Sequence, residues 1–234
     1  MEALYFYLGI AVFALSLPII ALKLGKEWLI ALAAIYLITG NIFAQAFVDL
    51  FGLQISLAIA VYGAVFLITD LLTEFYGRDT ALKGVWIALS GQVIFLIIMT
   101  IMLLGPIAPD YLDAYREALS TVPRLVVASF TAYFVSQHVD VFIYHAIKKM
   151  SGNSMTKLAI AVRNNGSTYI SQAFDTVIFL TIGFMGTELF PTFASLLGFM
   201  FFTWTFKVVV AILDTATIII AKKYIVNNHY KEFN

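Results

Sequence analysis

The chain has 234 residues, 62% of them hydrophobic and 12% charged, where an ordinary soluble domain carries about 25% charged residues. Basic and acidic side chains balance to zero net charge and the basic ones form no stripe, which removes the electrostatic case for a nucleic-acid partner. Cysteine is absent, which excludes disulfides, thiolate metal sites and a cysteine nucleophile.

In chain order, seven apolar segments are predicted at roughly 3–22, 28–50, 54–77, 85–108, 125–147, 166–186 and 193–221. Each comes near or above the ~20 residues a helix needs to cross the hydrocarbon of a bilayer. The fold class this predicts is an all-α polytopic membrane protein, a bundle of about seven transmembrane helices in a single transmembrane domain over residues 1–234. The first run, MEALYFYLGIAVFALSLPIIAL, has no basic start and no small-residue cleavage site, so it reads as a retained span. The join at 50–54 is the weakest, and one helix with a re-entrant piece is the alternative there.

Between the fourth and fifth segments, PDYLDAYREALSTVPR opens on Pro109 and sets Leu112, Tyr115 and Leu119 at helical spacing. That pattern predicts a short amphipathic helix at the outer interface. The link KKMSGNSMTKLAIAVRNNGS carries a basic amphipathic turn and then Asn164-Asn165-Gly166, a turn signal expected to start the sixth span. Basic residues gather at Lys23 and Lys26, at Arg78 and Lys83, at Lys148, Lys149, Lys157 and Arg163, and at Lys222, Lys223 and Lys231. The intervening links carry only Arg116 and Arg124, so the positive-inside bias predicts a cytoplasmic C-terminus and an outer N-terminus.

Polar residues inside the spans follow a pattern. The motif S-Q-x-x-D-[VT]-x-I occurs twice, at Ser136-Gln137-Asp140 and at Ser171-Gln172-Asp175. An ionised aspartate at the centre of a membrane helix costs about 3 kcal/mol on the lenient insertion scales. Asp70, Asp140 and Asp214 each precede a basic flank, Arg78, Lys148 and Lys222, by eight residues. That depth is about 12 Å at the helical rise, and Asp175 falls at a similar one. Four aspartates thus share one predicted layer. Lys207, seven residues before Asp214, needs a carboxylate partner, and Asp175 and Asp214 are the candidates. A purely structural role, tying helices together, is the alternative for Asp140 and Asp175. His138 and His145 read as packing residues rather than a proton relay, and Glu74 as a partner for Arg78. No Walker A loop, HExxH or GxSxG occurs, so no catalytic residues, cofactor or metal site are expected.

Four strings carry a family resemblance: VYGAVFLITDLLTEFYGRD at 61–79, SFTAYFVSQHVDVFIYHAIK at 129–148, RNNGSTYISQAFDTVIF at 163–179 and FKVVVAILDT at 206–215. They resemble the signature segments of the vitamin uptake transporter (VUT) family, transporters of queuosine precursors. The match covers roughly residues 28–222, leaving 1–27 as an extra N-terminal helix and 223–234 as a cytoplasmic tail. The resemblance implies a six-helix core related to the substrate-binding components of energy-coupling factor (ECF) transporters. It implies import of a 7-deazaguanine-type base for queuosine or archaeosine, and a protein that is not an enzyme.

On that reading Asp140 and Asp175 take the base edge, Gln137 and Gln172 orient it, Asn164 and Asn165 line the cytoplasmic mouth, and Lys207 balances charge. Asp70 and Asp214 complete the polar layer, while Phe174, Tyr169, Tyr133 and Trp204 are the stacking candidates. The expected partners are the small-molecule base, the lipid bilayer, an ECF-like ATPase module if transport is not autonomous, and a second copy of the chain if it is oligomeric. The alternatives are an intramembrane aspartate-based enzyme and a transporter of another vitamin-like molecule.

Overall fold

The computed structural model describes residues 2–50, 53–105, 109–150, 157–209 and 211. It is helical almost throughout, as the apolar runs predict. Four stretches, Glu2–Leu24, Lys26–Phe43, Asp79–Leu104 and Asp113–Asp140, are long and apolar enough to cross a membrane by length and composition. Among the described residues the helices are α1 (Glu2–Leu24), α2 (Lys26–Ile42), α3 (Ala58–Tyr76), α4 (Arg78–Leu104), α5 (Pro109–Leu119), α6 (Val122–Met150), α7 (Lys157–Phe184) and α8 (Phe193–Val209). The chain divides into two compact units, one holding everything up to Val126 and the other running from Val127 to Thr217.

In the first unit α2 packs on α3 and α4, α1 lies on α3, and α3 runs back against α4. Gly25 and Gly77, at φ 119° and 84°, make the two tight helix joins in a region that L side chains avoid. Helix α4 shows how an almost wholly apolar helix chooses its buried side. Ala81, Val85, Ala88, Gln92 and Met99 follow the a/d spacing of a helix seam and are buried. Trp86, Ile87, Ile94, Ile97, Ile98 and Ile101 lie outside it and are exposed. Large apolar side chains facing outward on this scale fit a lipid solvent.

Two backbone adjustments in this unit follow from single residues. Pro18 sits inside α1 and has no N–H, so it cannot bond the Ala14 carbonyl one turn earlier. The Tyr36 hydroxyl of α2 donates to that carbonyl at 2.8 Å, which satisfies in trans what proline leaves open. At the other end, the Arg116 guanidinium of α5 donates to the Leu103 carbonyl in the last turn of α4 through Nε at 3.3 Å and Nη2 at 3.2 Å. The amphipathic helix predicted after Pro109 is therefore present, with Leu119 packed against Met99, Val122 and Val126.

Two sequence expectations are corrected. The second apolar segment does not continue as helix to residue 50, because α2 ends at Ile42 and an antiparallel hairpin follows, β1 (Phe47–Leu50) paired with β2 (Leu53–Ser56). Ser56 Oγ donates to the Ala44 carbonyl at 2.7 Å and anchors the hairpin to the end of α2. Asn164-Asn165-Gly166 is not a turn but lies inside continuous helix, since α7 begins at Lys157. Gly40 holds the Tyr62 ring 2.8 Å from where a Cβ would stand, so α2 and α3 approach closely there.

Candidate functional site

A cluster of buried polar and charged side chains lies in the second unit, built by α6, α7 and α8. The register of the first two helices follows from their contacts. Ser136 Oγ donates to Asp175 Oδ1 at 3.4 Å, and Ser171 Oγ donates to Asp140 Oδ1 at 3.1 Å. Farther along, a Cβ on Gly166 would stand 3.2 Å from Ile147 Cδ1. Each step forward on α6 is thus a step back on α7, as antiparallel neighbours require. The serine and the aspartate of each motif are four residues apart and so share a helix face. When two such faces meet antiparallel, the serine of each copy stands opposite the aspartate of the other. The repeated motif is a self-complementary clasp.

The two carboxylates differ in their further partners. Asp175 Oδ2 accepts from Lys207 Nζ of α8 at 2.6 Å, so this buried lysine takes the first of its two candidate partners. Lys207 is 8% exposed, and Ser136, Ser171 and Gln172 are buried with it. Asp140 receives a second hydroxyl, that of Ser167, one turn before Ser171. Among the described residues Asp140 has no cation within ion-pair distance. The cluster therefore pairs one carboxylate with an ammonium and leaves the other to hydroxyl donors.

Helix α8 is fixed to α7 a second time, where Trp204 Nε1 donates to the Tyr169 carbonyl at 3.0 Å. That bond engages the N–H edge of Trp204, and Phe174 is exposed. Gln172 is buried, and among the described residues its Oε1 has no hydrogen-bond partner. His138 Nδ1 donates to the Phe134 carbonyl of its own helix, 2.7 Å away, lies tilted against the Phe134 ring and is exposed, in keeping with a packing role.

The remaining candidates divide. Asn165 lies on α7 one turn and more before Ser171. Asp70 lies on α3 in the first unit. Asp214 is outside the described residues, as are the side chains of Gln137, Asn164 and His145 and both ends of the Glu74–Arg78 pairing. One contributor was missed from sequence: Ser167 is visible in hindsight as the residue four before Ser171.

Residues 56–221 match the family described as "Putative vitamin uptake transporter". The chain is also 33% identical over 208 residues, 87% of its own length and 87% of the other's, to a Bacillus subtilis (strain 168) protein named "Probable queuosine precursor transporter". No solved structure matches.

Proposed function

The chain belongs to the vitamin uptake transporter family, a multi-pass membrane transporter and not an enzyme, and from that premise we propose that it imports a 7-deazaguanine-type queuosine precursor through the polar interior of α6, α7 and α8. The observation that carries this reading is the buried Lys207–Asp175 pair joined to a serine-linked Asp140 within otherwise apolar helices. Charged groups at membrane depth are expensive, and they are typically kept where they serve a path for a polar solute. A deazaguanine presents ring N–H and amine donors beside a carbonyl acceptor, and carboxylate, amide and ammonium groups match that edge.

In this reading Asp140 and Asp175 take the donor edge, Gln137 and Gln172 orient the ring, and Lys207 balances charge. Asn164 and Asn165 stand toward the cytoplasmic end. The basic flanks support an N-terminus outside and a C-terminus in the cytoplasm. The chain shows no nucleotide-binding motif, so it works alone or borrows an ECF-like ATPase module.

The test is uptake of labelled 7-cyano-7-deazaguanine into proteoliposomes that contain only this protein. Time-dependent accumulation, lost in Asp140→Asn at unchanged protein insertion, is the expected result. Wild-type vesicles no more permeable to the base than empty ones would exclude autonomous transport, and unimpaired uptake by the variant would remove Asp140 from the site.

A further inference from the structure

The two carboxylates of the clasp are matched in sequence and unequal in surroundings. Asp175 is buried and holds Lys207 Nζ at 2.6 Å, so its charge is met within the fold. Asp140 is half-buried, and its described partners are the hydroxyls of Ser171, at 3.1 Å, and of Ser167. Lys207 and Asp175 cancel, so an ionised Asp140 leaves the cluster, among the described residues, with one net negative charge. A charge of that kind is costly at membrane depth, and it is tolerated where a cation comes and goes.

A proton count selects the cation. The Ser171 hydroxyl has one proton, yet its oxygen stands 3.1 Å from Asp140 Oδ1 and 3.1 Å from the Thr168 carbonyl of its own helix. With Asp140 ionised, both neighbours are acceptors, and the one hydroxyl proton is shared between them. With Asp140 protonated, the same contacts form a directed chain: the carboxyl O–H donates to Ser171 Oγ, and the Ser171 O–H donates to the Thr168 carbonyl. The other carboxyl oxygen stays an acceptor, for Ser167 and for an N–H of the base. Ser136, the matching serine, makes no such demand. Its oxygen stands 3.1 Å from the Tyr133 carbonyl and 3.4 Å from Asp175 Oδ1, so its stronger bond is to the backbone, and Lys207 already neutralises Asp175.

The other charged groups of the cluster are Asp175 of α7 and Lys207 of α8, bonded to each other, while His138 of α6 is bonded to its own helix at Phe134. The side chains of Tyr144, His145 and Lys148 on α6 and of Arg163 on α7 lie outside the described residues. We propose that Asp140 is the proton site of a proton-coupled importer, taking up one proton from the outer solution with the base and releasing it with the base to the cytoplasm. The inference rests on the import reading above and adds the coupling ion and the residue that carries it. One carboxylate and one solvent proton give one carboxyl group, so with an uncharged base such as 7-cyano-7-deazaguanine the loaded cluster has no net charge. Sodium supplies the same charge but not the hydrogen that the Ser171 contacts lack.

The test uses proteoliposomes containing only this protein, prepared with equal sodium on both sides, with the membrane potential clamped by potassium and valinomycin and the outer solution made acidic. Labelled 7-cyano-7-deazaguanine is expected to accumulate above its outer concentration, by up to about tenfold per unit of pH gradient at one proton per base. A protonophore is expected to return it to equilibrium, and a sodium gradient without a pH gradient to give equilibration alone. Asp140→Asn, inserted to the same level, is expected to lose the accumulation, and Asp140→Glu, which restores a protonatable carboxyl, to recover part of it. Equilibration of the base without accumulation under the pH gradient overturns this inference and leaves the import reading standing. Entry no faster than into empty vesicles overturns autonomous import and this inference together. Accumulation driven by sodium overturns the choice of ion, and proton-driven accumulation retained in Asp140→Asn overturns the assignment to Asp140.

Discussion

Lys207 and Asp175 meet at 2.6 Å with both side chains almost wholly buried, so removing either leaves the other charged and uncompensated. Breaking such a pair from one side costs about 3–5 kcal/mol, while replacing both ends can cost little. Asp175→Asn and Lys207→Met are each expected to destabilise the protein by that amount, and the double variant by less than either sum would give. Unfolding of the four proteins in detergent measures the coupling, and simple additivity would deny it. The consequence for transport experiments is direct: loss of uptake in Asp175→Asn mixes binding with stability, and Asp140→Asn is the cleaner probe. The hydroxyl donors scale with distance. Ser171→Ala, which removes a 3.1 Å bond to Asp140, is expected to cost about 1 kcal/mol or more, and Ser136→Ala, at 3.4 Å, less. Spacing and cost made Asp140, Asp175 and Lys207 legible in the sequence. The reciprocal serine bonds were not read, because residue spacing gives the face of one helix and says nothing of which residue stands opposite.

At the scale of elements, α1 and α2 are joined by a repair. Because Pro18 frees the Ala14 carbonyl and Tyr36 satisfies it, Tyr36→Phe is expected to destabilise by about 1–3 kcal/mol, the penalty for a buried group left unpaired. The same substitution in a Pro18→Ala background is expected to cost clearly less, since alanine restores the intrahelical bond. Equal costs in the two backgrounds, by thermal unfolding, would show that Tyr36 acts through packing alone. Helix boundaries were the weaker part of the sequence reading. Asn164-Asn165-Gly166 has turn composition, yet α7 runs through it, and its glycine admits Ile147 of α6 rather than ending a helix. Composition reports local preference of about 1 kcal/mol per glycine, which helix packing overrides. The β1–β2 hairpin was likewise hidden inside an apolar run, because a short buried strand and a helix segment share the same hydrophobic content.

For the whole molecule, the outward-facing isoleucines and aromatics of α1 and α4 and the family membership together make a multi-pass membrane protein. Its sidedness is a matter of charge, and the absence of native cysteine makes it measurable without background. Single cysteines at Lys149 and at Asp113 are expected to label from opposite sides of intact cells, Asp113 from outside and Lys149 only after permeabilisation. Labelling of both from outside would invert or break the proposed topology. Addition of ATP with no further protein is expected to leave proteoliposome uptake unchanged, since the chain has no nucleotide-binding motif of its own.

By itself the sequence determined the solvent, through its apolar runs, the number and order of the long helices, and the residues whose burial demands a reason. These are local quantities, set by composition along a few turns of chain. The tertiary structure alone decided that Ser136 faces Asp175 while Ser171 faces Asp140, and that Lys207 chooses Asp175. Those are facts about helix register and side-chain direction. They depend on a few ångströms of sliding between neighbouring helices, which no period in the sequence encodes.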